Sequence, residues 1–252
     1  MAKISKIMMG LVVFTGISIG AQGQMIREYL NDASRALGGN RKKTTTTGSI
    51  TNTEIVSGLK QALEIGAQNA TGRLSVTNGF FGNALVKVMM PPEAAKVENA
   101  LRQVGMGAYV DKAILAMNRA AEDAAIQAKP IFINAITGMT VQDALGILKG
   151  NNSAATEYLK GKTQAQLTAA FRPVISASLE KVNATKYWAE VFNIYNNLPT
   201  TFNKVNPDLT AYVTDRALNG VFLYIAEEEG KIRMNPAARV TDILKKVFSY
   251  GK

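Results

Sequence analysis

The chain predicts an all-α fold: one multi-helix bundle domain with a single short extended arm or hairpin near residues 78–90. Three observations carry that expectation. Apolar residues recur at helical spacing in segment after segment from Thr53 onward. Thr, Ser, Asp and Asn stand where those helices would begin, and Pro or Gly where they would end. Strand-like alternation is confined to one weak stretch, Leu85 to Met90, and no internal repeat of about 20 to 50 residues is evident.

The first segments stand apart from that domain. Met1 to Lys6 carry two lysines, an apolar run extends from Ile7 to Ile19, and Ala21 and Gly23 occupy the minus-three and minus-one places before Gln24. This predicts a signal peptide over residues 1–23, cut at or near Gln24, since the apolar run falls short of the ~20 residues that span a bilayer. An uncleaved anchor is the competing expectation. No cysteine follows the run, which excludes a lipoprotein anchor. Residues 24–53 read as a leader. Met25, Ile26, Tyr29, Leu30, Ala33 and Leu37 suit a short helix stopped by Gly38-Gly39, and Arg41-Lys42-Lys43 with Thr44 to Thr47 form a flexible basic, Thr-rich tether.

The helical domain is expected over 54–252. Asn52 or Thr53 caps a helix through Asn69, Asn78 to Gly82 makes a turn, and Leu85 to Met90 is a short strand or arm. Pro91-Pro92 starts a helix to Val104, broken at Gly105-Met106-Gly107. A long helix runs from Ala108 to Lys129, ended by Pro130. Thr140 with Asp143 makes a capping box for the next, through Leu148. Ser153 caps a helix to Lys160, and another from Thr163 is kinked at Pro173. Ala184 to Asn197 ends at Pro199, Asp208 opens a long helix to Met234, and Asn235-Pro236 caps the last, through Phe248.

Composition narrows the chemistry. The 252 residues include no cysteine and no histidine. Histidine is the usual general base near neutral pH, and Cys with His supplies most zinc sites and thiol nucleophiles. Cys-His, Ser-His-Asp and zinc-hydrolase chemistry are therefore excluded, and no cofactor is expected: zinc, copper and haem would lack their usual ligands. Without Lys3 and Lys6 the exported chain holds 27 basic against 19 acidic residues, a net of +8. That surplus suits an anionic envelope surface, whereas no aromatic-basic motif suggests nucleic acid as a partner.

Polar residues on apolar helix faces mark the candidate site. Along the helix from Asp208, Thr214, Leu218, Val221, Phe222, Ile225 and Ile232 form one stripe, with Glu229 inside it and Asp215 and Arg233 at its margin. A carboxylate there needs a partner, and Arg233 at i+4 is the obvious one, while Glu227 and Lys231 make a surface pair. The helix from Ala108 has a small-residue face running through Ala113, Ala120, Ala121, Ala124 and Ala128. Leu115, Arg119, Glu122 and Ile126 form the other, so both sides should be covered. Arg119 and Glu122 are expected to join Asp215, Glu229 and Arg233 in one buried network. Such a network sets helix register or lines a ligand groove, and two of its carboxylates could serve acid-base catalysis.

The chain resembles a family of exported bacterial proteins known as domain-of-unknown-function family 4197. The matching stretches are SGLKQAL from Ser57, GFFGN from Gly79, MNRAAE from Met117, AKPIF from Ala128, DALGILKGNNSAAT from Asp143, YLKGKT from Tyr158, YVTD from Tyr212 and IAEEEGKIRMNPAARVTDILKKVF from Ile225. The resemblance implies an exported helical domain and brings no activity, so no catalytic or metal-binding residue is assigned. It places Asn118, Arg119, Glu122, Asp143, Asp215, Glu228, Glu229 and Arg239 within matched motifs, beside Arg233 from the helical projection. The expectation is a non-enzymatic envelope or periplasmic protein that binds an unknown small ligand or envelope protein in a polar groove. A carboxylate-pair enzyme acting on an envelope glycan and a purely structural envelope protein are its rivals.

Overall fold

The computed structural model describes residues 51–197, 204 and 208–234, all within a compact unit spanning Ser49–Lys252. The signal segment, the leader and tether through residue 50, and the helix expected from Asn235, Arg239 included, lie outside the described residues. The described part is all-α, with no strand among its residues.

Helix α1 (Asn52–Leu74) begins with a capping box one residue earlier than expected. Thr51 Oγ1 accepts the Glu54 N–H and Glu54 accepts the Thr51 N–H, at 3.2 and 2.9 Å. The helix also outruns Asn69, because Ala70, Thr71 and Leu74 continue the buried face of Leu59, Leu63 and Ala67. A 3-10 turn over Pro92–Ala94 leads into α2 (Ala95–Gln103), and α3 (Gly107–Ala125) follows Gly105, whose φ of 80° is open to glycine at no steric cost.

Two sequence expectations need correction here. The helix expected to reach Lys129 stops at Ala125, and Pro130 lies in the first turn of a separate helix, α4 (Ala128–Thr137). The first turn is where a missing N–H costs nothing, so Pro130 opens a helix instead of ending one. The helices expected either side of Gly161-Lys162 are one element, α6 (Ala154–Glu180), which contains Pro173. Ala155, Leu159, Thr163, Leu167, Phe171, Ile175 and Leu179 are all buried along it, one at every fourth position. A strict four-residue repeat drifts about 40° per step around the axis, so the stripe winds and meets successive neighbours. Burial along that winding line outweighs the roughly 1 kcal/mol cost of Gly161. Pro173 and Ala169, whose carbonyl loses its helical donor, both face solvent.

The remaining helices are α5 (Val141–Lys149), capped by Thr140 with Asp143, α7 (Ala184–Asn196) and α8 (Leu209–Met234). Asp208 caps α8 by accepting the Ala211 N–H at 2.9 Å. Helices α6 and α8 form the most extensive pair, with α3 against both and α1 across α8, α4 and α5. The alanine face of α3, fully buried at Ala120, Ala121, Ala124 and Ala125, lets these axes approach closely. Its opposite side is not covered as expected: Leu115 and Ile126 are exposed, and only Glu122 is buried there. Phe132 and Phe222 meet edge to face in the core, with ring centres 5.9 Å apart.

Between α1 and α2 the chain forms the turn and an extended arm with no ladder partner among the described residues. Phe80 is fully buried against Gly220, where a Cβ would come within 2.7 Å of its ring. The arm's backbone is satisfied by Asn118, itself fully buried on α3. Its Oδ1 accepts the Val88 N–H, while its Nδ2 donates to the carbonyls of Val88 and Ile114, all within 2.8 Å. One amide thus replaces a neighbouring strand. Asn118→Leu, which leaves the buried Val88 groups unpaired, is expected to cost about 2–4 kcal/mol in chemical denaturation. A loss under about 1 kcal/mol would mean that water or another group can take over the arm.

Candidate functional site

The sequence-predicted polar residues do not form one network. The structure separates five of them into three clusters and leaves Asn118, on the arm, Asp143 and Asp215 elsewhere.

The first cluster centres on Glu229, buried at 4% exposure on α8. Its carboxylate accepts the N–H groups of Ala155 and Thr156 at 3.0 and 2.9 Å, and the Thr156 hydroxyl at 2.8 Å. Those are the second and third residues of α6. Ala154 N–H goes to the Asn151 carbonyl and Glu157 N–H to that of Ser153, so the first four donors of α6 are all satisfied. Ser153 does not cap the helix with its side chain; its hydroxyl is committed to Asn151 and Glu157. Arg233 completes the cluster, donating Nε to Glu229 and Nη2 to the Ile147 carbonyl at the end of α5, each at 2.8 Å. Charge alternates along this line: positive α6 N-terminus, Glu229, Arg233, negative α5 C-terminus.

Glu122 plays the same part for the turn. It is buried, its Oε1 accepts the N–H groups of Phe80 and Phe81 at 3.1 and 3.0 Å, and Oε2 meets Arg119 at 2.5 Å. Arg119 also donates to Asn78 Oδ1, fixing a residue whose φ of 67° lies in the left-handed region. Lys87 sits 4.1 Å above the Phe81 ring.

The third cluster lies between α1 and α8, and it borders open space. A groove of about 620 Å³ runs there, with Ile65 and Ile232 as apolar walls and Gln68, Asn69 and Gly72 along α1. Glu228 forms its floor, accepting from Asn69 Nδ2 at 2.9 Å and Lys231 Nζ at 2.6 Å. Glu227 and Lys231 are paired as expected, but Arg73 of α1 joins Glu227 as well, at 3.0 Å. The hydrogen bond from Lys231, opposed by burial and reinforced by Arg73, holds the Glu227 carboxyl below its ordinary range. Lys231 is held above its own range by Glu227 and Glu228. Asn69 and Arg73 escaped the sequence reading. Their polar i, i+4 spacing beside the apolar face of α1 was the only available signal.

Asp143 stays at the start of α5 as a half-buried capping residue bonded to Thr140. Asp215 is exposed and pairs with Asn219. Fourteen residues of helix place it about 21 Å along the axis from Glu229, far beyond the separation of a working carboxylate pair. Among the described residues no group of acidic side chains could hold a metal ion.

A family model described as protein of unknown function (DUF4197) matches residues 49–249. No curated protein matches the chain, and neither does any solved structure. Several stretches that carried the resemblance meet in space: GFFGN with MNRAAE at Glu122, and DALGILKGNNSAAT with IAEEEGKIRM at Glu229.

Two outcomes follow from this geometry. Glu229→Ala strands Arg233 and two backbone donors, and is expected to cost about 2–4 kcal/mol in chemical denaturation. Glu227→Ala, at a half-open site, should cost under about 1 kcal/mol. Equal small losses would show that the α6 terminus does not depend on Glu229. The second outcome is an acid-side loss of stability. Glu227 and Asp143 lie below their ordinary values of 4.5 and 3.8, Asp143 chiefly through the Thr140 hydroxyl and amide. A depressed folded value adds stability that is full above the ordinary value and disappears as pH falls through the folded one. Glu227→Gln should therefore lose less stability than the parent between about pH 6 and pH 3, and parallel profiles would contradict the pairing.

Proposed function

The chain belongs to the DUF4197 family, and from that footing we propose that it is an exported periplasmic or envelope protein that binds a small ligand between α1 and α8 without catalysis. The observation that carries the reading is the groove itself. Its volume of about 620 Å³ falls within the roughly 300–1,000 Å³ usual for ligand sites, and it joins apolar walls to a few fixed polar groups. Glu122 and Glu229, in contrast, are saturated by backbone N–H groups and offer a ligand nothing. Beside the groove, the Glu227 carboxyl is held below its ordinary range, whereas a general acid needs a raised pKa. Export follows from the signal-like residues 1–23, and the positive balance of the remaining chain favours residence near anionic envelope polymers or head groups.

Gly72 provides the test. A Cβ there meets no atom within 4 Å, so Gly72→Leu adds apolar bulk to the groove from an unobstructed position and on a better helix former. Protein recovered from the envelope fraction, denatured and analysed by mass spectrometry should release a small molecule that the Gly72→Leu variant lacks. The same sample should show an intact mass beginning at or near Gln24. Release of the same molecules from both proteins, or of none, would remove the groove reading; a mass retaining Met1 to Gly23 would remove the processed-export reading.

A further inference from the structure

The charged groups lining the groove, Arg73, Glu228 and Lys231, form with Glu227 beside them a closed ring in which the signs alternate. Arg73 Nη1 lies 3.0 Å from Glu227 and 3.7 Å from Glu228, and Lys231 Nζ lies 2.6 Å from each of the same carboxylates. Two cations and two anions leave the ring neutral. A simple anion or a simple cation added to this neutral ring leaves its own charge uncompensated. A molecule carrying both signs exchanges one contact of each kind and leaves no charge uncompensated.

Access to the ring is one-sided. The side chains of Arg73, Lys231 and Glu227 are 50%, 43% and 37% exposed, whereas Glu228 is 9% exposed and pinned from α1 by Asn69. The long Arg73–Glu228 side is the weakest edge of the ring, and the Arg73 guanidinium, 4.7 Å above the Tyr224 ring, presents its plane in a fixed orientation. Neighbouring corners are 2.6–3.7 Å apart. Ammonium and carboxylate borne on one carbon atom stand about 3 Å apart, so an α-amino acid matches adjacent corners without strain. Beside the ring, Ile65 and Ile232 give the rest of such a molecule an apolar wall.

Resting on the reading of this groove as a binding site, we propose that its ligand is a free α-amino acid with an apolar side chain, its carboxylate on Arg73 and Lys231, its ammonium on Glu227 and its side chain along Ile65 and Ile232. Titration calorimetry of the full chain with racemic leucine, N-acetyl-leucine and leucinamide tests it. Leucine should bind, and blocking either end should weaken binding by roughly tenfold or more, the worth of one charge-assisted contact. Arg73→Gln, which leaves Lys231 as the one cation on the ligand carboxylate, should reduce the advantage of leucine over leucinamide severalfold while leaving its advantage over N-acetyl-leucine unchanged. Gly72→Leu should abolish binding while its unfolding midpoint stays at or above that of the parent. Equal binding of all three probes, lost in Gly72→Leu, would keep the groove as a site and overturn the amino-acid assignment. Failure of all three to bind would overturn the assignment as well, and the molecules released from envelope-derived protein would then decide the groove reading separately.

Discussion

The structure turns on a carboxylate of one helix capping the N-terminus of another. Glu229 sits on the buried face of α8 and completes the donor accounting of α6, while Arg233, one turn on, ties the same point to the end of α5. An isolated buried carboxylate would cost several kcal/mol. Here the α6 dipole, two backbone N–H groups, a hydroxyl and a guanidinium supply what water would have supplied. The corner between α5 and α6, closed in a few residues, cannot shift along α8 without breaking all of these bonds together. The register of the most extensive helix pair among the described residues is thereby tied to two side chains.

Glu122 and Asn118 extend the same solution to the turn and arm, where no neighbouring strand satisfies the backbone. Each places side-chain oxygens on a buried helix face and gives them to main-chain N–H groups. Glu228 differs in the nature of its partners. Its donors are side chains of α1 and α8, able to rearrange, and three of the ring's four members reach solvent. Backbone-saturated carboxylates hold the fold, and the side-chain-saturated one borders the groove. That division, drawn from hydrogen-bond partners, is what directs attention to α1 and α8.

Much of this was legible in the sequence, and the losses have physical causes. The helical projection of α8 placed Glu229 within the apolar stripe and named Arg233 as its partner, both as observed. It could not name Ala155 or Thr156, because a backbone N–H leaves no mark in the sequence. Ser153 read as the cap of α6, yet its hydroxyl was taken by Asn151 and Glu157. Asp215, at the margin of the projected stripe, fell on the solvent side, since a marginal angle does not say which neighbour is absent. Pro130 reads as an end because proline signals both the first turn of a helix and the residues after one. Single-face periodicity ends one helix at Lys160 and starts another at Thr163, because the strict fourfold stripe of α6 winds around the axis. The Arg73 side of the groove needed the three-dimensional approach of α1 to α8.

Amide hydrogen exchange at Ala155 and Thr156 addresses the central interaction most directly. Second and third residues of a helix have no intrahelical acceptor, so their amides ordinarily exchange through fraying of the end. With Glu229 holding both from α8, they should exchange only as slowly as core amides such as those of Leu167 and Phe171, through global unfolding. Exchange of Ala155 and Thr156 at the rate of a frayed terminus, with Leu167 and Phe171 still protected, would contradict the claim that Glu229 sets the junction of α5, α6 and α8.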